Sequence, residues 1–556
     1  MSGITGFCSF NNSNSTSYEI NGSNLKVKID GIIYNTNSIK KPNESIEEAV
    51  SHGIFTCGTA FLDGLNGMFS GVIRDEINSS IYLFRDHLGI KPMFYSIVNN
   101  VLYFASEIKK LLKNPMIKPV ITEDGLREIF GIGPAKQPLS GIFSNIYSIP
   151  PGGYGIFTRD GLKTGLYRTL GSHEHTDSEA QTKQHIAYLL EDAVKMQLDC
   201  VSACGAFLSG GIDSSIVTAL AAKIQKKNGI QTKTFSFDFE DSSTYFSSNS
   251  FQPELDGPYV KKMVDYCGTN HTYLECGTEI MADLLNEAVL AHDLPCMADI
   301  SSSFLYFCQE VKNSVQAAFT GECADEIFGG YPWFYRNELM NTGLLPWSSD
   351  INIRKSLLRD DLSARLDLDT YTHDVYKQSI AEVPLLHGET GENKRIREIT
   401  YLTQKYFMAT LTARMERISS HAGLVLLAPF ADKRLVEYLW NIPWEIKYRG
   451  GEVKALLKDS FKGIVPDEIL YRKKSPYPKS YNPGYEAILK QRAQKIIDNN
   501  DSPILSIIDR EKIKNFMNTA LEYGKPWFGQ LMAGPQMLAY ILQIDFWMRH
   551  YEIKLF

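Results

Sequence analysis

The chain has 556 residues, 44% of them hydrophobic and 22% charged, which is typical of a globular protein with two or three domains. Its net charge of −7 excludes a nucleic-acid binder that relies on a broad basic surface, so we expect no nucleic-acid partner. The nine cysteines form no disulfide or zinc framework. No signal peptide or membrane-spanning run is recognisable, and we expect a cytoplasmic protein without a membrane partner.

The order of the predicted elements changes along the chain. Short apolar or aromatic runs flanked by turn residues, such as 80–84 and 101–105, predict strands and a sheet packed on a sheet. Strands and helices alternate after a polar stretch, which indicates a parallel α/β sheet, and about the last 150 residues are mainly helical. We therefore predict an N-terminal α+β domain over 1–165, a linker over 166–182 and an α/β domain over 183–556.

A glycine-rich turn follows the apolar strand predicted at 205–208, and a helix follows the turn. The small and hydroxyl-bearing residues of this turn are Ser209, Gly210, Gly211, Ser214 and Ser215. Two glycines let backbone N–H groups approach a ligand, and the start of the helix favours an anion. Asp213 would oppose a phosphate unless a cation such as Mg²⁺ lies between them. The turn therefore predicts a phosphate site that uses Mg²⁺.

A second acidic turn occurs at 318–331, again between a predicted strand and a predicted helix. Its carboxylates Glu322, Asp325 and Glu326 fall within five residues. Magnesium-bound ATP needs oxygen ligands, and an amine that attacks an acyl group needs a proton acceptor. The alternative is a solvated acidic first turn of a helix, which the helix dipole alone would favour.

The string Ser-Gly-Gly-Ile-Asp-Ser-Ser at 209–215 resembles the pyrophosphate-loop motif of the ATP-pyrophosphatases, which include asparagine synthetases, β-lactam synthetases and lasso-peptide cyclases. The resemblance implies ATP and Mg²⁺ as cofactors. It also implies Glu322 as the general base, Asp213 and Asp325 as Mg²⁺ ligands, and a catalytic role for Asp325 and for Lys454, which would contact the leaving pyrophosphate. The ATP-binding residues that it implies are Leu208, Ser209, Gly210, Gly211, Asp213, Ser214, Ser215, Phe235, Phe237, Thr320 and Gly321.

The N-terminal part resembles the class II glutamine amidotransferase domain, in segments 64–69, 84–95 and 104–109. That resemblance implies a sandwich of two antiparallel sheets of the N-terminal-nucleophile-hydrolase type. The catalytic positions, however, depart from the family.

Ser2 stands where active members have the nucleophilic Cys, Asp30 replaces the oxyanion-hole Asn, and Ile32 replaces a glutamine-binding Glu. A hydroxyl is a weaker nucleophile than a thiol, and a carboxylate repels an oxyanion. We therefore expect a degenerate glutaminase and free ammonia or another amine as the nitrogen source.

The acceptor is less clearly indicated than the nucleotide. In the family string Gly-Leu-Glu-Val-Arg-Val-Pro-Phe, this chain replaces Glu with Val425 and Arg with Leu427. A guanidinium suits a carboxylate, so these changes favour a more hydrophobic acyl substrate. We expect a ligase that adenylates a small-molecule or peptide carboxylate for attack by ammonia or an amine. The alternatives are asparagine synthesis from aspartate, an intramolecular cyclase of the lasso-peptide or β-lactam type, and a non-catalytic nucleotide-binding paralogue. A homodimer is left open.

Overall fold

The computed structural model describes residues 3–10, 16–22, 26–246, 254–519 and 525–556. It divides into two compact units, one made of 1–129, 135–171 and 552–556, the other of 130–134 and 172–551. The domain boundaries expected from the sequence stay predictions. Within the described ranges, no helix combines the length and the apolar composition that crossing a membrane requires.

The first unit is built on two five-stranded antiparallel sheets, with strand orders β2-β1-β7-β6-β9 and β11-β10-β5-β4-β3. Its strands are β1 (Thr5–Phe10), β2 (Thr16–Ile20), β3 (Val27–Ile33), β4 (Gly67–Asp75), β5 (Ser80–Arg85), β6 (Phe94–Val98), β7 (Val101–Ala105), β8 (Val120–Ile121), β9 (Tyr147–Ser148), β10 (Gly153–Thr158) and β11 (Gly161–Leu166). The short strand Lys554–Leu555 pairs in parallel with β8. The predicted antiparallel sandwich is confirmed.

Two apolar clusters hold the first unit together. One joins inward side chains of both sheets, including Cys8 of β1, Leu102 of β7 and Leu83 of β5. The other packs the second sheet against a helix, and it includes Phe69 and Val50. The helices are α1 (Thr36–Ile39), α2 (Ile46–Cys57), α3 (Ile108–Leu112) and α4 (Glu123–Gly131). Successive side chains of a strand point to opposite faces of the sheet, so the second sheet can bury one face in each cluster.

The second unit contains a five-stranded parallel sheet in the order β14-β13-β12-β15-β16. Its strands are β12 (Cys204–Phe207), β13 (Lys233–Phe239), β14 (Asn270–Cys276), β15 (Ala317–Phe319) and β16 (Val425–Leu427). The central strands β12 and β15 are buried along their whole length, as expected for a parallel sheet covered on both faces. The carboxyl ends of parallel strands share one edge, so the loops after β12 and β15 meet there.

Helices cover this sheet and form the rest of the second unit. They are α5 (Glu179–Leu198), α6 (Ile212–Lys227), α7 (Ser242–Tyr245), α8 (Gly257–Cys267), α9 (Thr278–Asp283), α10 (Leu285–His292), α11 (Ala298–Lys312), α12 (Ala324–Phe328), α13 (Asn337–Met340), α14 (Asn352–Leu357), α15 (Asp360–Leu366), α16 (Leu368–Ala381), α17 (Gly391–Leu402), α18 (Ala409–Ala422), α19 (Lys433–Trp440), α20 (Trp444–Lys447), α21 (Ala455–Ser460), α22 (Asp467–Leu470), α23 (Pro483–Asp498), α24 (Arg510–Thr519) and α25 (Gly534–His550). The predicted α/β domain with a helical C-terminal region is confirmed.

Candidate active site

The glycine-rich turn connects β12 directly to α6. Leu208 N donates to the Phe235 carbonyl at 2.8 Å, which fixes the turn to the neighbouring strand. The Ser209 and Ser214 hydroxyl oxygens lie 3.0 Å apart, and Gly211 N donates to Ser209 Oγ at 3.3 Å. The turn is therefore closed by its own hydroxyls, and the first N–H groups of α6 point out of it.

Gly210 is required by this turn, because its φ is +69°. A Cβ at this position would lie 2.7 Å from Tyr259 Cβ and 2.8 Å from Val260 N. We expect Gly210→Ala to weaken ATP binding and to destabilise the protein by about 2 kcal/mol or more.

The matched control is Gly229→Ala, because Gly229 has a φ of +72° but open space around its Cβ position. Thermal unfolding and ATP titration of both variants separate the cost of a positive φ, which both share, from the cost of the steric clash, which only Gly210→Ala has. Equal effects of the two changes would show that the close approach at Gly210 is unimportant.

The acidic turn after β15 packs against the glycine-rich turn. A Cβ on Gly321 would lie 2.9 Å from Ser214 N and 3.0 Å from Asp213 Cβ, so the absence of a side chain allows the approach. Thr320 N donates to the Leu427 carbonyl at 2.9 Å, and Glu322 N donates to Thr320 Oγ1 at 3.3 Å. The two predicted phosphate and acidic motifs therefore form one site.

Lys454 joins the two motifs. Its Nζ lies 2.7 Å from both carboxylate oxygens of Asp213 and 2.5 Å from Asp325 Oδ1. The other oxygen of Asp325 contacts Lys474 Nζ at 2.8 Å. The Lys454 side chain is only 4% exposed, so this cluster is shielded from bulk water. The cluster therefore places two ammonium groups and two carboxylates side by side at the junction of the two turns.

Burial and pairing set the charge states of this cluster. Burial opposes the ionised form of Asp325, but Lys454 and Lys474 outweigh it and hold its pKa below the ordinary value. Burial raises the pKa of Asp213, although Lys454 opposes this effect. Burial would lower the pKa of Lys454, but its two carboxylate partners outweigh it and raise that pKa. Lys454 and Asp325 are therefore charged at neutral pH.

The carboxylates of Asp213 and Asp325 are compatible with Mg²⁺ that arrives bound to ATP. Both are oxygen ligands, and both converge on the same ammonium group. No group of three or more His, Cys, Asp or Glu residues arranged to hold a metal ion occurs among the described residues. Protein Mg²⁺ sites of the nucleotide type commonly use one or two carboxylates together with substrate phosphates. The residues fit such a shared site.

Glu322, the predicted general base, lies opposite a buried arginine. Its Oε1 accepts a hydrogen bond of 2.6 Å from Arg414, a residue of α18. Glu322 is 20% exposed and Arg414 only 5%. The carboxylate of Glu322 is thus held at the cavity wall by a charged partner.

Glu326 is a buried carboxyl group beside this site, and it accepts a 2.8 Å hydrogen bond from the Tyr331 hydroxyl. Burial, with Asp325 and Glu322 nearby, raises its pKa from 4.5 to about 8. The folded state therefore binds a proton that the unfolded state loses above about pH 4.5, so stability falls as the pH rises from 4.5 to 8.

The Glu326→Gln variant has no ionisable side chain at this position. We therefore expect its free energy of unfolding to exceed that of the wild type by an increasing amount as the pH rises. The difference should grow between pH 5 and pH 8 and reach about 3–4 kcal/mol. Urea unfolding at four pH values measures it. Parallel curves for the two proteins would mean that Glu326 is already ionised in the fold.

A cavity of about 860 Å³ lies at this edge of the sheet. The sequence-predicted residues that line it are Leu208, Ser209, Gly211, Asp213, Ser214, Phe235, Phe237, Thr320, Gly321, Glu322, Asp325 and Lys454. Gly210 and Ser215 are not part of the lining, and the Ser215 hydroxyl is buried without a hydrogen-bond partner in the structure. Phe237 stacks on Phe307 with ring centroids 3.9 Å apart. The roles of all these residues in binding and catalysis stay predictions.

The basic segment 472–478 also lines the cavity. Arg472 donates to the Ser209 carbonyl and pairs with Asp256. The Tyr477 hydroxyl lies 3.1 Å from Ser303 Oγ, and its ring contacts Phe237. The tertiary path of this segment determines which of its side chains reach the cavity.

The expected change of the acceptor pocket at Val425 and Leu427 is wrong. Neither residue belongs to the cavity lining. Leu427 is fully buried in β16, where its strand pairs with β15 and its carbonyl accepts from Thr320 N. Its apolar side chain therefore belongs to the core, while its backbone supports the acidic turn.

Two of the positions at which we expect a degenerate glutaminase site lie in β3. Asp30 lies in β3 opposite Ser70, it is buried, and its Oδ1 is 3.7 Å from Lys91 Nζ. Ile32 lies two residues further along the same strand, opposite Met68. Ser2 falls outside the described residues.

Comparison with known proteins defines the class of this site. A family model for asparagine synthase matches residues 185–549, and one for a glutamine amidotransferase domain matches residues 11–168. The first match contains the turns and the lysine described above. The chain is thus an ATP-dependent carbon–nitrogen ligase.

The relatives agree with this class. Asparagine synthetase 3 of Bacillus subtilis (strain 168), named glutamine-hydrolyzing, is 40% identical over 545 residues, covering 96% of this chain and 88% of that protein. Asparagine synthetase 1 of the same organism is 27% identical over 450 residues, covering 74% and 68%. Amidase chry2 of Gibberella zeae is 22% identical over 528 residues, covering 83% and 77%. The chain belongs to the asparagine synthetase family.

Proposed function

We propose that the second unit adenylates a carboxylate with ATP and transfers the acyl group to ammonia, and that the first unit does not hydrolyse glutamine. The observation that carries this proposal is the ion cluster of Lys454, Asp213 and Asp325, which ties the glycine-rich turn to the acidic turn. This cluster supports a pyrophosphate site in which Lys454 has one carboxylate partner from each turn.

In the first step a carboxylate oxygen of the acceptor attacks the α-phosphorus of ATP. An acyl-adenylate forms as the bond to pyrophosphate breaks. Lys454 neutralises the charge that develops on pyrophosphate, and the N–H groups at the start of α6 hold its oxygens. Mg²⁺ bound by Asp213 and Asp325 would supply further neutralisation of the phosphates.

In the second step ammonia attacks the acyl carbon, the bond to the AMP oxygen breaks, and AMP leaves. Glu322 accepts the proton that the nitrogen loses, since its carboxylate lies at the cavity wall two residues after Thr320. Glu326 is protonated at neutral pH and does not compete for this proton, because burial and its acidic neighbours raise its pKa to about 8.

Free ammonia is the nitrogen source that best fits the first unit. Asp30 and Ile32 replace the oxyanion donor and the glutamine-binding carboxylate that the family resemblance implies. Asp30 is buried, and its Oδ1 lies 3.7 Å from Lys91 Nζ. A hydroxyl at position 2 would also be a poor nucleophile at neutral pH.

Pyrophosphate release with MgATP and L-aspartate tests the nitrogen source. We expect release and amide formation with ammonium, and no stimulation by glutamine at matched concentration. A glutamine-dependent rate that exceeds the ammonium rate, with glutamate as a product, would overturn the loss of glutaminase activity. A family member with an intact N-terminal cysteine provides the positive control.

The second candidate function is glutamine-dependent asparagine synthesis. It is favoured by the 40% identity to a glutamine-hydrolyzing asparagine synthetase across nearly the whole chain. The same assay distinguishes it, because it requires both glutamate release and asparagine.

A further inference from the structure

Ammonium groups contact all four carboxylate oxygens of the ion cluster. Lys454 Nζ lies 2.7 Å from both oxygens of Asp213 and 2.5 Å from Asp325 Oδ1. Lys474 Nζ lies 2.8 Å from the remaining oxygen, Asp325 Oδ2. A divalent cation that coordinated one of these oxygens would lie next to an ammonium group, and like charges at such short range repel strongly. Mg²⁺ can therefore reach this pair of carboxylates only if one lysine withdraws.

Lys454 is held firmly by its surroundings. Its side chain is 4% exposed, and it contacts three of the four oxygens. Gly330 packs closely against it, since a Cβ at Gly330 would lie 2.6 Å from Lys454 Cε and 1.9 Å from Asp325 Oδ1. Withdrawal of Lys454 would also leave the mostly buried Asp213 without its ion pair, which is costly. Lys454 is therefore the lysine that stays.

Lys474 is held more loosely. Its side chain is 29% exposed, and it lies between α22 and α23, where residues 473–482 form no helix or strand. Besides Asp325, its ammonium group contacts the Gly330 carbonyl at 3.4 Å and lies 4.0 Å from the centre of the Tyr331 ring. Lysine carries its charge on a flexible stem, and a ring face can hold that charge by a cation–π contact. Lys474 can thus leave the carboxylate and stay within the site.

We propose that Lys474 is an exchangeable cation, which holds Asp325 Oδ2 until MgATP binds and then passes from this carboxylate to a phosphate oxygen. The exchange keeps the charges paired, because the metal ion takes the carboxylate and the lysine takes the phosphate. Lys474 lines the same cavity as the glycine-rich turn, so both of its partners belong to one site. This inference rests on the proposed use of MgATP, and it is independent of the acceptor and of the nitrogen source.

Titration of Mn²⁺ into the protein without nucleotide, followed by electron paramagnetic resonance, tests the competition. Lys474→Met removes the competing ammonium group and should tighten Mn²⁺ binding about tenfold. Lys474→Arg keeps the charge and should bind Mn²⁺ with nearly the affinity of the wild type. Lys462→Met, at an exposed lysine outside the cavity lining, is the control. Thermal unfolding shows whether each variant is folded.

The same titration with α,β-methylene-ATP bound distinguishes exchange from a merely structural role. Lys474 is then drawn to the phosphates, so the wild type and Lys474→Met should bind Mn²⁺ alike. An equal change of Mn²⁺ affinity with and without the analogue would mean that Lys474 only supports the local backbone, and it would overturn the proposal. Mn²⁺ binding by Lys474→Met that is no tighter than that of the wild type, including no binding by either protein, would overturn it as well. No acceptor is present, so failure of adenylation is detected separately, in the pyrophosphate assay.

Discussion

Replacing Lys454 with Met is expected to lower the rate of pyrophosphate release by about 10³-fold while the fold stays intact. The ammonium group contacts Asp213 and Asp325 together, so its loss removes the charge that meets the leaving pyrophosphate. Lys474 would then be the remaining described lysine beside the two carboxylates, and Asp213 would lose its ion pair, which should weaken binding of ATP. Single-turnover pyrophosphate release and ATP titration measure the two effects separately.

The control for this change is Lys462→Met, because Lys462 is exposed and does not line the cavity. The Lys462 variant should leave the rate of pyrophosphate release and the affinity for ATP unchanged. Near wild-type release by the Lys454 variant, at saturating ATP, would remove Lys454 from the chemical step and leave it a structural role.

Glu322→Gln is expected to separate the two half-reactions. Adenylation does not need a base on the amine, so acceptor-dependent pyrophosphate release should survive in a single turnover. Amide formation should fall by about 10²–10⁴-fold, the usual contribution of a general base. Rapid-quench measurement of AMP-ester and amide shows which step is slowed. We expect the acyl-adenylate to accumulate on the Glu322→Gln enzyme.

Glu310→Gln is a suitable control, since Glu310 is an exposed residue of α11. It should leave both half-reactions at wild-type rates. A Glu322 variant that forms amide as fast as the wild type, with no accumulated adenylate, would exclude Glu322 as the base.

Local sequence strings predicted the parts of the site that depend on local geometry. A strand, two glycines and a helix start leave few paths for the backbone, and Ser209, Gly211 and Asp213 of this turn line the cavity. The same reasoning applies to Thr320 and Glu322, which follow a buried strand of the same sheet. The antiparallel sandwich and the parallel sheet also followed from patterns of period two and from alternation of strands and helices.

The features of the site that were not predicted depend on contacts between segments that are distant in the sequence. Arg414 and Glu322 are 92 positions apart, and nothing in the sequence distinguishes Arg414 from Arg417. The interpretation of Leu427 was wrong because a strand residue can serve a site through its backbone while its side chain fills the core. The raised pKa of Glu326 likewise arises from burial that no local string encodes.

Transfer of ¹⁸O from the acceptor to AMP tests adenylation most directly. The protein is incubated with MgATP, ammonium and L-aspartate labelled in its carboxylates, and the products are examined by ³¹P NMR. Attack of a carboxylate oxygen on the α-phosphorus predicts one ¹⁸O in the phosphate of AMP, together with unlabelled pyrophosphate. Formation of ADP with ¹⁸O in inorganic phosphate would instead indicate an acyl-phosphate and contradict the assignment of this site.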